Sequence, residues 1–296
     1  MAALASVGTG HYLADSGAPA RPFLKWAGGK AKLAPTVLER APQGFNRYHE
    51  PFVGAGAVFF ALRSRRTVAA TLTDVNAALI ETFQVVKDDP SGLLQELAPL
   101  ADRYLPASHE ERARLYYEAR ASTPATAAAR AARIIFLNRT CFNGLYRENR
   151  SGRFNVPHGR YVRPAILNVS LLEACSRSLQ AADLVCGDFE TACARAADGD
   201  FVYLDPPYHP LSATASFTSY TSAAFGVAEQ VRLRDAFDSL SRRGVAAILS
   251  NSDHPAIRDL YQGRGYVLET VPMSRAINSV GSKRTPIPEL LISNFG

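Results

Sequence analysis

The sequence predicts an α/β fold, an open and mainly parallel sheet flanked by helices and interrupted by a mostly helical insertion. Three observations predict it. Short apolar runs close on glycine or an acid and are each followed by a helical stretch, the rhythm of a parallel sheet. That rhythm stops at Pro90 and returns near Leu184. Between the two, helical segments lead into a loop-rich stretch dense in arginine, and no internal repeat is present.

Taken in order, residues 1–21 are rich in Ala, Gly and Ser without periodicity and read as a flexible extension. Tyr48–Val53 is an extended run closing on Gly54-Ala55-Gly56, with a helix expected over Ala57–Arg65. Val68–Thr73 is a second strand ending at Asp74, followed by a helix over Ala77–Lys87. In the insertion, Glu110–Ala121 and Ala125–Leu137 read as helices. Strand signals resume at Leu184–Cys186, Phe201–Leu204, Val245–Leu249, Tyr266–Val271 and Glu289–Ser293, making seven strands. The expected division is a catalytic domain from 22–89 and 179–296 with a second domain, 90–178, embedded in it.

Bulk properties narrow the function. At 296 residues, 47% hydrophobic and 20% charged, the chain has ordinary globular composition and can bury a core without disulfides or metals. Cys141, Cys175, Cys186 and Cys193 show no CxxC spacing, which argues against a zinc site or a disulfide framework. The N-terminus lacks a basic and apolar leader, and the longest apolar run, Phe52–Leu62, is too short for a membrane span. A cytoplasmic protein without membrane contact is expected. Net charge is +6, and its placement matters more than its size. From Arg139 to Arg163 six arginines (139, 147, 150, 153, 160, 163) face one acid, Glu148. Such concentration is the footprint of phosphate binding, with a solvated basic face as the competing reading.

Five motifs carry chemistry. In Glu50-Pro51-Phe52-Val53-Gly54-Ala55-Gly56, a glycine turn after a strand lets a ligand approach the backbone and helix-terminal N–H groups. A dinucleotide fingerprint would need a third glycine where Phe59 stands, so a nucleoside without phosphates suits the loop better. Asp74, at the tip of the next strand, is placed to accept from ribose hydroxyls, or else to cap the following helix. Phe201-Val202-Tyr203-Leu204-Asp205-Pro206-Pro207-Tyr208 is the strongest signal. Two prolines stiffen the turn and leave their carbonyls free, so a fixed carboxylate and a fixed carbonyl can accept both hydrogens of an exocyclic amine. Tyr208 offers a face for a planar base. Adenine N6 needs this equipment, because hydrogen bonds to both hydrogens draw the nitrogen towards sp³ and free its lone pair. No Pro-Cys nucleophile of the kind used for cytosine C5 is present.

Phe23-Leu24-Lys25-Trp26-Ala27-Gly28-Gly29-Lys30 holds the chain's one tryptophan. Trp26 suits purine stacking and Lys30 a carboxylate such as that of methionine; a helix start with Trp26 in the core is the alternative. The segment lacks a full GxxxxGK[ST] pattern. Finally, Asn138–Arg147 and Gly152–Pro157 enclose Asn143-Gly144, a hairpin-turn signal that would present Phe142, Asn143 and Leu145 at a tip rimmed by guanidinium groups. Stacking groups and arginines together suit a loop that reads DNA, beside the alternative of a plain hairpin.

On these residues the sequence resembles Dam-type DNA adenine-N6 methyltransferases of the D12 class, whose motifs run cofactor loop, recognition domain, DPPY. FLKWAGGK, PFVGAG, the aromatic-Asn-Gly-Leu-x-Arg run, FNVP with GRY, DPPY with PLS-TA-F--Y, and Ser250–Asp253 carry the resemblance over Phe23 to about Phe295. It implies a seven-stranded Rossmann-like S-adenosylmethionine-dependent methyltransferase sheet with an inserted, mostly helical DNA-recognition domain. It also implies a residue set. S-adenosyl-L-methionine would be held by Trp26, Lys30, Phe52, Gly54, Gly56, Asp74, Asp188, Phe189 and Asp205. Asp205, Pro206, Pro207 and Tyr208 would be catalytic, without metal. Phe142 and Asn143 would fill the gap left by a flipped base, and Leu145, Arg147 and Pro157 would read bases, with Lys25 at the site's edge. Arg139, Asn155 and Arg160 complete the expected DNA-binding set. The implied target is adenine in GATC within double-stranded DNA, acted on by a monomer with no obligatory protein partner. Two departures stand out: residues 90–130 carry little family signature, and the extension before Phe23 has no counterpart. An RNA or protein methyltransferase and a non-catalytic DNA-binding regulator are the rival readings. Alanine- and arginine-rich usage points to a GC-rich bacterial or phage genome.

Overall fold

The computed structural model describes residues 19–149, 151–208, 225–273 and 287–296. Arg150, most of residues 1–21 and the segment after Tyr208 that carries PLS-TA-F--Y lie outside them. In chain order the elements are α1 (Ala34–Arg40), β1 (Arg47–Glu50), α2 (Ala57–Arg63), β2 (Ala69–Asp74), α3 (Ala77–Asp88), α4 (Pro90–Tyr104), α5 (His109–Ala121), α6 (Ala127–Thr140), α7 (Val169–Leu179) and β3 (Ala182–Cys186). There follow α8 (Phe189–Ala194), β4 (Phe201–Leu204), α9 (Val227–Arg242), β5 (Ala246–Ser252), α10 (Pro255–Tyr261), β6 (Val267–Met273) and β7 (Ile287–Ser293).

The seven strands form one sheet in the order β3-β2-β1-β4-β5-β7-β6. β3, β2, β1, β4 and β5 run parallel, while β7 pairs antiparallel with both β5 and β6. Strand order reverses between β1 and β4. In an open α/β sheet the crevice outside the carboxyl ends of two such strands is where ligands bind, and the turns after Glu50 and Leu204 open there together.

All seven expected strands are present, with two revealing shifts of boundary. β1 stops at Glu50 instead of reaching Val53, because Pro51 has no N–H to continue a ladder. β5 runs on past Leu249 through Ser250, Asn251 and Ser252, all three buried although polar. Buried polar groups require partners, and these point towards the same end of the sheet.

The core has two faces. On one, β4, β5 and β7 contribute Val202, Leu204, Leu249 and Leu290 to a cluster with Leu233 and Phe237 of α9. On the other, one continuous cluster joins α1, α2 and α3 to α4, α6 and α7. The helices between β2 and β3 therefore extend the sheet's own core. α6 lies at its centre, with Ile134, Ile135, Phe136 and Leu137 all buried. No helix among the described residues is long and apolar enough to cross a membrane.

Two buried polar side chains shape the crevice from below. Asn138, near the end of α6, accepts from the N–H of Lys25 at 2.8 Å and donates to the Lys25 carbonyl at 2.7 Å and the Gly144 carbonyl at 3.3 Å. One amide thus pins the segment before Trp26 against the loop after α6. Glu50 accepts from the Tyr48 hydroxyl at 2.9 Å and the Phe59 N–H at 3.2 Å, bracing the glycine turn between them. Burial pushes its pKa up to about 8, against the pull of the Tyr48 hydrogen bond.

Asn138→Ala leaves three backbone groups without their partner, and is expected to cost about 3 kcal/mol, measured as a lower urea midpoint at unchanged slope. For Glu50 the folded chain holds its proton to about pH 8, whereas the ordinary value is 4.5. The folded state therefore binds the extra proton between those values, and stability falls as pH rises through that window. Glu50→Gln, neutral and isosteric, should flatten that part of the Tm–pH curve while preserving the fold; an unchanged slope would show Glu50 to be ionised.

Candidate active site

Three stretches distant in sequence meet at the carboxyl ends of β1, β2 and β4. The segment Phe23–Lys30 enters first, its Phe23 and Leu24 buried in the core. Gly28 turns the chain at a φ of 72°, and the buried Lys30 folds back so that Nζ donates to the Gly28 carbonyl at 2.7 Å. The same ammonium pairs with Asp205 Oδ1 at 3.0 Å and lies 4.4 Å from the centre of the Tyr208 ring. Ser250 Oγ donates to the same Oδ1 at 3.1 Å and exchanges a hydrogen bond with the Tyr203 hydroxyl at 2.9 Å. Burial raises the pKa of Asp205, and Lys30 opposes that rise. Lys30 therefore favours an ionised carboxylate in a site that would otherwise favour a protonated one.

The glycine turn lies beside this pair. Gly54 and Gly56 take φ values of 47° and 70°, which L-residues avoid. A Cβ on Gly54 would stand 2.9 Å from Trp26 Cδ1, so glycine is needed there for space as well as conformation. The Gly54 N–H donates to Asp74 Oδ2 at 3.1 Å, and the Asn76 N–H to Asp74 Oδ1 at 3.0 Å. The cap of α3 is Asn76, which accepts from Leu79 N at 2.9 Å, so Asp74 is not its cap. Asp74 sits between the two turns instead, its pKa raised by burial. Phe59, at the place of a third glycine, is fully buried.

Trp26 is only half-buried in the core and stacks on Tyr146 at 4.9 Å between ring centres and 29° between planes. Phe52 stacks on Phe189 at 5.2 Å, with Phe225 edge-on to Phe52. Asp188 caps α8 through the Glu190 N–H and also pairs with Arg232 at 3.1 Å. The residues expected around a cofactor thus lie together at the carboxyl ends of β1, β2, β3 and β4.

The loop after α6 differs from expectation in one respect. Asn143 and Gly144 both have positive φ, at 54° and 63°, as the turn signal requires. They form a 3₁₀ turn and not the tip of a hairpin. Antiparallel bridges join Cys141 to His158 and Glu148 to Phe154, so the chain reverses at Asn149–Arg153. There the Asn149 side chain accepts from the N–H groups of Ser151 and Arg153, each at 3.0 Å. The physical reason lies in competition: Asn138 holds the Gly144 carbonyl, and Lys25 packs where a Cβ on Gly144 would be.

Phe142 remains half exposed, and Asn143, Arg147, Asn155, Pro157 and Arg160 are exposed on the same loop, with Leu145 half-buried. Lys25 Nζ sits 4.0 Å above the Tyr161 ring. Arg147 donates to the Asn155 carbonyl, bracing the two arms. Arg139 is placed differently: it points back to the Phe23 carbonyl and is mostly buried, which lowers its pKa. Tyr146, Ser250 and Glu289 belong to the crevice but escaped individual reading. Glu289, on β7, has its pKa raised by burial and held down by Lys30. A polar pair ending an apolar strand was the available signal for Ser250; Glu289 had none.

Comparison with known proteins shows the family. A family model described as D12 class N6 adenine-specific DNA methyltransferase matches residues 26–275. The type II methyltransferase M1.LlaDCHI of Lactococcus lactis subsp. cremoris is 40% identical over 286 residues, covering 93% of this chain and 96% of that protein. The type II methyltransferase M.MjaIII of Methanocaldococcus jannaschii is 40% identical over 288 residues, covering 93% and 99%. The DNA adenine methylase of Escherichia coli K12 is 37% identical over 273 residues, covering 92% and 94%. With its motifs in family order and its acid, lysine and glycine turn gathered at the strand reversal, the chain belongs to the D12 class of DNA methyltransferases, which carry methyl from S-adenosyl-L-methionine to adenine N6.

Proposed function

We propose that this enzyme methylates the adenine of GATC in double-stranded DNA, and that the adenine is flipped out of the duplex to reach the crevice. Asp205 carries the assignment. Its Oδ1 takes both Lys30 and Ser250, so among the described residues Oδ2 stays available to a substrate amine. Beside it the Pro206-Pro207 turn, lacking N–H groups, offers carbonyl oxygen only. Asp205 and the Pro206 carbonyl would accept the two hydrogens of N6, and Tyr208 would stack on the base. A base inside a duplex cannot enter such a crevice, which is why flipping is part of the reading.

S-adenosyl-L-methionine suits the neighbouring half of the crevice. Carboxylates outnumber the single buried lysine there, which favours a sulfonium cation. Trp26, Lys30, Phe52, Gly54, Gly56, Asp74, Asp188 and Phe189 would hold it, and bound there it supplies an electrophilic methyl group. Phe52 and Phe189 offer apolar faces for its adenine, and Asp74 acceptors for its ribose.

Residues 90–178 are assigned as the target-recognition domain of a monomer acting in the cytoplasm of a bacterium or its phage. Leu145, Arg147 and Pro157 would read bases with Lys25 at the site's edge, and Phe142 and Asn143 would fill the space that the adenine vacates. Arg160 and Asn155 would meet the backbone; Arg139, already bonded to Phe23, would act by holding the Phe23–Lys30 segment.

Plasmid DNA free of N6-methyladenine, incubated with enzyme and cofactor and mapped by single-molecule sequencing, is expected to carry methyl only at GATC adenines. Another motif would overturn the base-reading set and leave the chemistry; methylation of RNA in place of DNA would overturn the substrate. Asp205→Ala is expected to lower the transfer rate by about 10³-fold while filter binding of the duplex stays within about twofold of wild type. Normal turnover by that variant would remove Asp205 from the mechanism.

A further inference from the structure

The turn that carries Pro206 and Pro207 takes support from outside itself. Neither proline has an N–H to donate, so the turn is not braced by bonds from its own two prolines. Among the described residues one external donor reaches them: Gln230 Nε2, on α9, donates to the Pro207 carbonyl at 3.2 Å. Gln230 is 1% exposed, on the helix that packs against the face of the sheet opposite α6. Its own Oε1 accepts from Asn251 Nδ2 at 3.0 Å. Asn251, on β5, is fully buried, and its Oδ1 accepts from the Ser252 N–H at 2.8 Å.

Both ends of this chain of bonds are backbone groups whose polarity is fixed. The Ser252 N–H can only donate, and the Pro207 carbonyl can only accept. Asn251 must then present its oxygen to Ser252 and its nitrogen to Gln230, and Gln230 must present its nitrogen to Pro207. Neither amide can flip without stranding two buried polar groups, each costly to leave unpaired. The relay draws the Pro207 carbonyl back into the protein. The Pro206 carbonyl receives no such bond among the described residues.

We propose that Gln230 and Asn251 are positioning residues for methyl transfer: they hold the Pro206–Pro207 turn so that the Pro206 carbonyl faces the target amine. This rests on the reading of Asp205 and Pro206 as acceptors of the N6 hydrogens. Neither side chain touches the base or the cofactor, so the relay acts on the geometry of transfer and not on affinity.

Four variants, measured in parallel by single-turnover transfer to a GATC duplex, test this. Gln230→Leu is expected to lower the saturated rate on the order of 10²-fold, with cofactor Kd and DNA KM within about twofold. Asn251→Asp should reproduce that loss, because a carboxylate at 251 can no longer donate to Gln230. Gln230→Glu keeps the shape and makes the bond depend on pH. A protonated carboxyl can donate to Pro207, whereas a carboxylate only accepts and faces the carbonyl oxygen with charge. Its rate relative to wild type should therefore rise as pH falls, and this isosteric variant decides the matter if Gln230→Leu proves unfolded. A folded Gln230→Leu at the wild-type rate, or a Glu variant whose rate ratio is flat with pH, overturns the relay. Asp205→Ala separates the two readings: if it turns over normally, the acceptor assignment itself falls, whatever the relay variants do.

Discussion

The 3.0 Å pair between Lys30 and Asp205 sets the terms for everything around it. Both groups are removed from most solvent, and a buried ion pair seldom adds net stability, since desolvation offsets the Coulomb gain. Its effect lies in geometry and in charge. It fastens the Phe23–Lys30 segment to the end of β4, and it opposes the rise in pKa that burial imposes on Asp205. Glu50, a short way beneath, lacks any such cation and is held protonated to about pH 8. Burial thus raises the pKa of both acids in the crevice, and Lys30 opposes the rise at Asp205.

Around that pair, support comes from below and behind. Asn138 holds the backbone of Lys25, Gly28 anchors the Lys30 ammonium, and Ser250 shares the Asp205 oxygen. The strand reversal between β1 and β4 brings these groups together, since the turns after both strands open on the same edge. Polar residues therefore accumulate at the carboxyl end of β5, where an ordinary core strand would be apolar throughout.

Much of this was legible in the sequence, and the exceptions have physical causes. β4 announces itself because Phe201–Leu204 is apolar at every position and closes on Asp205. β5 was read short, since Ser250–Ser252 are buried by hydrogen bonding, to which hydrophobic periodicity is blind. The Asn143-Gly144 pair dictated its own backbone angles but not its strand partners, which side-chain competition from Asn138 and Lys25 settled. Trp26, Lys30, Gly54, Asp74 and Asp205 could be picked out one motif at a time. Gln230 and Glu289 could not, and Asn251 lay in a motif without a legible role, because each meets the site only through the packing of the sheet and its helices. Residues that act through local turns are visible in a line of text, whereas residues that act across a sheet are visible only in space.

The stack of Trp26 on Tyr146 has an engineering consequence. One ring belongs to the Phe23–Lys30 segment, the other to the loop after α6, and the helices between β2 and β3 share a single core with the sheet. The insertion is therefore not a cassette. Transplanting it between relatives to change the sequence read would sever an aromatic contact and an amide clamp made with residues more than a hundred positions upstream. A graft that respects this structure would move the Phe23–Lys30 stretch together with the loop after α6, treating two remote pieces of chain as one inherited part.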